Sequence, residues 1–376
     1  MQAGAPSGYE ARFGSHGGVA RRAILLGMES CQTGRLTRAE IYQQPETWLE
    51  TFERVRSAGF GALPPPVLTG AGTSAYAAKA IEAGWPGSRA VPSTELFLEF
   101  RRYLGEQGLV VSLARSGDSP ESIAVVSKIQ RALPQVRHIV LTSNPAGRLA
   151  RWPGVEVVLL DPRTNDRSLV MTSSYSNLVL AGLALARPAE VQEALPVLCQ
   201  SVSEGLPEME EQARRLAESP PARAVALASP PLMGAAQEAC LKILEMTAGR
   251  VAVMAETYLG LRHGPMSFLE AETFVLCFVS SSPFLRRYEE DLMRELPRKK
   301  LGRLVALGAV SDPANCELVL STRASNLPDW LRTPAEIVFA QLLGWHLSVR
   351  LGLDPDNPSP GGVITRVVQG VQIYED

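Results

Sequence analysis

The sequence predicts an α/β protein made of two tandem copies of one doubly wound parallel sheet, each flanked by helices. Three observations carry this reading. Short apolar, β-branched runs alternate with helical stretches, the pattern of parallel strands joined by helical crossovers. The order of elements in the first half recurs in the second, as in an internal repeat. The chain's 376 residues exceed what one hydrophobic core usually spans. The expected division is a flexible segment at 1–35, a first domain with an N-terminal helix at 36–200, and a second domain with a C-terminal tail at 201–376.

In chain order, residues 1–18 are Gly-rich and without an apolar signal core. Thr37 and Glu40 have the spacing of a capping box for a helix starting near Arg35. Trp48, Leu49, Phe52 and Val55 form an amphipathic stripe. Pro64-Pro65-Pro66 breaks the chain before a short strand, Val67-Leu68-Thr69. Gly70-Ala71-Gly72-Thr73-Ser74 then opens a helix. A strand near 88–91 and a helix capped by Ser93 follow. Next comes the run Leu109 to Ala114, a buried strand by composition, which feeds Arg115-Ser116-Gly117-Asp118-Ser119-Pro120-Glu121-Ser122. Strands at 137–141 and 155–160 complete the first sheet, and Thr172-Ser173-Ser174 caps a long apolar helix.

A helical linker at 201–217 leads to the second copy. It has strands at 222–228, 251–255, 273–279, 304–307 and 318–320. Helices are expected at 232–248, 286–295 and 334–351. Ser280-Ser281-Ser282-Pro283 mirrors the loop at 115–122, but Ala228-Ser229-Pro230-Pro231 replaces the first copy's Thr69-Gly70-Ala71-Gly72. The second copy is thus less suited to hold a phosphate.

The loop after the 109–114 strand carries the first chemical signal. Ser119 suits an N-cap and Pro120 the first helical position. A helix N-terminus facing a strand's end offers free N–H groups and a favourable dipole to an anion. Ser116, Ser119 and Ser122 add hydroxyls, Gly117 permits close backbone approach, and Arg115 adds positive charge. Ordinary capping explains Ser119 and Pro120 but not Ser116, Gly117 and Ser122 together. The loop reads as a cup for a phosphate monoester. Gly70-x-Gly72-x-x-Ala75 matches a dinucleotide fingerprint on its face. That reading needs an acid at the end of the next strand, and Val91-Pro92 stand there.

The second signal is a face of the 232–248 helix, where Glu238, Lys242 and Glu245 are spaced by four and three. A solvated salt-bridged surface is the ordinary meaning of such spacing. Here Ala239, Cys240, Ile243 and Met246 surround the charges, so the helix reads as buried. Arg262-His263-Gly264-Pro265 follows, a rigid turn presenting an imidazole.

Composition bounds the partners. The chain is 45% hydrophobic and 20% charged, with 37 basic against 39 acidic residues and a net charge of −2. That gives no basic excess for nucleic acid and no polybasic tail for a membrane surface. No apolar run approaches the roughly 20 residues that cross a bilayer. The five cysteines and four histidines are scattered, without CxxC or Cys/His spacing. A cytoplasmic protein with no metal and no cofactor is expected.

The ordered motifs Thr69–Ser74, Arg115–Ser122, Met171–Ser174, Leu241–Glu245 and Leu261–Pro265 resemble the double sugar-isomerase (SIS) domain proteins, including the isomerase half of glucosamine-6-phosphate synthase. Leu36–Pro45 and Thr365–Val371 narrow the likeness to the tagatose-6-phosphate ketose/aldose isomerase family, also described as galactosamine-6-phosphate deaminases. The resemblance covers nearly everything after Leu36. It implies that Thr73, Ser74, Ser116, Ser119 and Ser173 hold the sugar phosphate and its hydroxyls, and the loops that carry them add Gly72, Arg115, Gly117, Ser122 and Ser174 to the expected binding residues. Glu245 matches the base that moves a proton between C1 and C2, His263 a ring-opening histidine that in the synthase reaches in from the partner subunit, and Lys242 a lysine on the base's helix.

A homodimer with its active site near the interface is therefore expected, acting on galactosamine 6-phosphate to yield tagatose 6-phosphate and ammonia, as an isomerase, deaminase or hydrolase. Two departures stand out. Ala114 and Arg115 replace a hydroxyl and an amide of the synthase. The synthase's C-terminal lysine has no match in 363–376, which leaves a Schiff-base step without its lysine. The chemistry agrees with the resemblance, because a proton shift between adjacent sugar carbons needs one carboxylate base and donors for the enediolate. The competing readings are a non-catalytic sugar-phosphate sensor, for which no basic helix-turn-helix is present, and a fructosamine-6-phosphate deglycase.

Overall fold

A computed structural model of the chain describes residues 33–374. The expected flexible segment lies almost wholly outside them. The first sheet comprises β1 (Val67–Thr69), β2 (Arg89–Ala90), β3 (Gly108–Ala114), β4 (Val136–Thr142) and β5 (Glu156–Leu159). Its order is β2-β1-β3-β4-β5, with every pairing parallel. The second comprises β6 (Arg223–Ala228), β7 (Ala252–Thr257), β8 (Phe274–Phe278), β9 (Arg303–Leu307) and β10 (Leu318–Leu320), in the order β10-β9-β8-β6-β7. Counted within each half, both orders read second, first, third, fourth, fifth. The expected repeat of one parallel α/β unit is what the chain forms. In each sheet the order reverses between the first and third strands, where sheets of this kind leave a crevice for ligands.

The helices are α1 (Arg35–Tyr42), α2 (Gln44–Ser57), α3 (Thr73–Gly84), α4 (Ser93–Glu99), α5 (Pro120–Ala132), α6 (Ser173–Ala186), α7 (Pro188–Ala217), α8 (Met233–Met246), α9 (Pro283–Arg298) and α10 (Asp329–Arg350). The largest core joins the two halves: Ile81 of α3, Leu180 of α6, Ala236 of α8 and Leu343 of α10 are all fully buried in one apolar cluster. α3 and α8 cross closely, because Gly234 lies against Ala80 with no room for a side chain. A Cβ there would sit 2.5 Å from the Ala80 nitrogen. This contact sets the first turn of α3 beside the middle of α8. The boundary expected between 200 and 201 falls inside α7, a single 30-residue helix that passes through both Pro196 and Pro207.

Two local expectations are corrected. Thr37 and Glu40 form no capping box: the N-cap of α1 is Gly34, in a left-handed conformation with φ 71°. The free N–H groups of that turn are taken by the chain's far end. Gly34 N donates to Asp354 Oδ1 at 3.0 Å, and Leu36 N and Thr37 N donate to Asp356 at 3.1 and 2.8 Å. Glu40 turns inward instead and accepts from Arg167 N and Ser168 N. Of the α2 stripe, Trp48, Phe52 and Val55 are buried, whereas Leu49 is 51% exposed.

Candidate active site

A cavity of about 320 Å³ opens beyond the carboxyl ends of β1 and β3. One wall is the loop into α3, with Gly72, Thr73 and Ser74; another is the loop into α5, with Arg115, Ser116, Ser119 and Ser122. Glu245 of α8 closes the floor, and residues 363–369 of the C-terminal tail form the far side. Of the residues predicted from sequence, these eight share the cavity.

The hydroxyls at the start of α5 are open to a ligand. Ser119 is the N-cap and makes no side-chain capping bond, and Ser116 Oγ accepts only the Asp118 amide, at 3.2 Å. The Arg115 guanidinium is 6% exposed. It donates to three carbonyls, Ser168 O at 3.4 Å, Leu169 O at 3.1 Å and Arg366 O, and its Nε has no partner among the described residues. Burial lowers its pKa to about 10, so it is a cation at neutral pH. A buried cation served only by carbonyls, beside unclaimed hydroxyls and a helix N-terminus, is matched to a dianion.

Under this sits a buried charge cluster. Lys242 Nζ donates to Glu245 Oε2 at 2.6 Å and to Thr73 Oγ1 at 3.2 Å, and lies 3.4 Å from Glu238 Oε1. Lys242 and Glu238 are fully buried, while the Glu245 side chain is 23% exposed, toward the cavity. Burial pushes the Glu238 carboxyl up to about 8, against the pull of Lys242. Burial alone would lower Lys242, but the two carboxylates outweigh it and hold its pKa above the ordinary value. At neutral pH the cluster therefore reads as a Lys242 ammonium paired with Glu245 and a neutral Glu238.

Four predicted residues stand elsewhere. Ser173 and Ser174 are fully buried outside the cavity, both hydroxyls taken by Asp166. That carboxylate also caps α6 through Thr172 N at 2.8 Å and Ser174 N at 2.9 Å. Gly117 turns the loop with φ 71° but lies behind the lining. His263 is exposed on the turn at 260–263, also outside the cavity.

Sequence reading missed Arg366, whose guanidinium ties the tail to Asn165 Oδ1 at 2.7 Å and to Asp166 O at 2.6 Å. Its stretch marked the family resemblance, but an extended, exposed segment has no periodicity to betray a contact. Among the described residues, no group of His, Cys, Asp and Glu is placed to hold a metal ion, and no helix is long and apolar enough to cross a membrane.

No family model matches the chain. The D-galactosamine-6-phosphate deaminase AgaS of Escherichia coli O157:H7 is 34% identical over 373 residues, 91% of this chain and 96% of that protein. A Streptomyces coelicolor protein sharing the AgaS designation is 39% identical over 366 residues, 89% of this chain and 94% of its own. The solved tagatose-6-phosphate ketose/aldose isomerase of Escherichia coli superposes with a TM-score of 0.79 at 31% identity, covering 88% of this chain and 96% of that one. These names correct the hydrolase expectation: they describe a deaminase and a ketose/aldose isomerase. With that likeness running along nearly its whole length, the chain belongs to the D-galactosamine-6-phosphate deaminase AgaS family of SIS-domain phosphosugar enzymes.

Proposed function

We propose that the chain converts galactosamine 6-phosphate to tagatose 6-phosphate and ammonia. The observation that carries this is that Glu245, paired to Lys242, opens into the same cavity as Arg115 and the α5 hydroxyls. The 6-phosphate rests on Ser116, Ser119, Ser122 and the N-terminus of α5, which fixes C1 and C2 toward α8. Glu245 takes the C2 proton of the open-chain sugar and returns it to C1. The C1 oxygen gains the proton that the nitrogen loses, so the C2–N bond becomes an imine; water then adds at C2 and ammonia leaves. Charge on the C1 oxygen in between is met by donors from the α3 wall and by Lys242. In this reading residues 36–200 supply phosphate binding and 201–376 supply the base.

His263 is exposed and outside its own chain's cavity, and Leu259, 51% exposed, flanks it on the same turn. Both features support a homodimer in which each subunit lends His263 to its partner. A cytoplasmic setting suits the free thiols Cys199, Cys240, Cys277 and Cys316.

The test is turnover of galactosamine, glucosamine and tagatose 6-phosphates, followed by ammonia and ketose. Glu245→Gln should lower kcat by about 10²–10⁴-fold, the usual share of general base catalysis, and abolish solvent deuterium entry at C1. Near wild-type exchange would remove Glu245 from the role. Mixed dimers of Glu245→Gln and His263→Ala subunits should regain part of the activity; no recovery would argue for self-contained sites.

A further inference from the structure

The cluster beneath the cavity holds a carboxyl that the proton transfer does not use. Glu238 is fully buried on α8, and its Oε2 has no hydrogen-bond partner among the described residues. Its Oε1 meets Thr73 Oγ1 at 3.2 Å. Thr73 Oγ1 is also 3.2 Å from Lys242 Nζ, and Thr73 lines the cavity. One hydroxyl thus bridges a buried acid, a buried ammonium and the space where substrate sits.

The hydrogen-bond inventory of these three groups admits two states. An ammonium only donates, so Thr73 Oγ1 must accept from Lys242. An ionised Glu238 only accepts, so Thr73 would spend its one proton inward on Oε1. A neutral Glu238 can donate through Oε1, and both inward contacts then use the lone pairs of Thr73. Its proton is left to point into the cavity. An ionised carboxylate with one bare, buried oxygen is costly, so the fold favours the neutral acid.

We propose that Glu238 is a positioning residue which, as the neutral acid, turns the Thr73 hydroxyl proton outward to donate to the oxyanion of the bound sugar. This rests on the functional reading above and adds to it the source of one donor. The groups facing Glu238 are Lys242 and Glu245 of its own helix, Thr73 and Tyr76 from α3, and Tyr175 from α6. Among them Lys242 and a Thr73 hydroxyl that donates inward draw it toward ionisation, and burial outweighs both. Burial sets the transition near pH 8. The outward donor is present below that pH and is lost as pH rises through it.

The experiment is the pH profile of kcat for wild type, Glu238→Gln, Thr73→Val and Thr73→Ser, on whichever hexosamine 6-phosphate is turned over. Wild type should lose kcat above about pH 8 with less change in KM. Glutamine donates to Thr73 at every pH, so Glu238→Gln should flatten that alkaline limb. Thr73→Val should lose about 10²-fold in kcat at neutral pH, as when one oxyanion donor is removed, and should lack the limb. Thr73→Ser should restore both.

An alkaline limb unchanged in Glu238→Gln, or present in Thr73→Val, overturns the inference and leaves the overall reaction standing. Infrared difference spectra of wild type and Glu238→Gln add a readout without turnover. A protonated carboxyl band assigned to Glu238 at pH 7 is expected, titrating away near pH 8. Its absence at pH 7 overturns the inference even if every sugar phosphate tried is inert, the outcome that would sink the functional reading by itself.

Discussion

The loop after the third strand of each half has nearly the same makeup and the opposite content. After β3 come Arg115, Ser116 and Ser119, then Pro120 opening α5; after β8 come Ser280, Ser281 and Ser282, then Pro283 opening α9. In the second half the chain fills its own cup. Asp329 accepts from Ser281 N at 2.7 Å, Ser281 Oγ at 3.0 Å and the Ser280 hydroxyl. Glu289 accepts from Ser280 N at 2.8 Å. Arg332, fully buried, compensates Asp329 at 3.1 Å and Glu336 at 2.6 Å. In the first half no carboxylate among the described residues bonds Ser116, Ser119 or Ser122, and the buried cation has only carbonyls. A hydroxyl-rich loop at a helix N-terminus is thus a receptor only where the fold withholds its own anion. The same donors become a structural joint where it supplies one.

This contrast can be broken from either side. The largest effect is expected for Asp329→Ala, which leaves the Ser280–Ser281 donors buried without their acceptor and Arg332 with Glu336 as its remaining carboxylate partner. Stability should fall by about 3–5 kcal/mol in denaturant unfolding, as when one member of a buried pair is removed, while the KM of the folded enzyme stays unchanged. A KM that rises with it would mean the second cup binds substrate after all. Arg115→Gln should do the reverse: KM for the sugar phosphate rises about 10–100-fold, the worth of a charged hydrogen bond, with a smaller loss of stability than Asp329→Ala. An unmoved KM would take the phosphate away from this loop. The smallest effects come from a matched pair. Ser116→Ala should raise KM by about 3–10-fold, the net worth of one hydrogen bond, and leave unfolding as in the wild type. Ser280→Ala should lower stability by about 1–3 kcal/mol, since it leaves part of a buried carboxylate unsatisfied, and leave KM alone.

Much of this was readable from residues, for identifiable reasons. Strands β3 and β8 are continuous apolar runs, and Ser119-Pro120 marks a helix start wherever it occurs in such a context. The small apolar neighbours of Glu238, Lys242 and Glu245 distinguished a buried charge cluster from a solvated face. What sequence hid was the partner of each polar side chain. Thr37 and Glu40 have capping-box spacing, yet the caps come from Asp354 and Asp356. Ser173 and Ser174 look like Ser116 and Ser119 in sequence, but Asp166 folds back on them. Spacing reports what a side chain can offer, whereas its burial partner decides whether the offer is already taken. The same holds for Thr73, predicted as a substrate hydroxyl, whose Oγ1 is engaged by groups 165 and 169 residues away.

The capping of α1 by Asp354 and Asp356, about 320 residues downstream, bears on the order in which the chain assembles. During synthesis from the N-terminus α1 emerges early, with three of its first amides unsatisfied. An isolated eight-residue helix is too short to persist in water. Only when the aspartates leave the ribosome can its first turn close. Because Glu40 of the same helix anchors the amides of Arg167 and Ser168, next to the Ser168 and Leu169 carbonyls that hold Arg115, the anion receptor is among the last parts to become rigid. A nascent chain released before residue 354 would carry both sheets but an unfinished cup, so ligand binding would report the arrival of residues 354–366 rather than folding of either half.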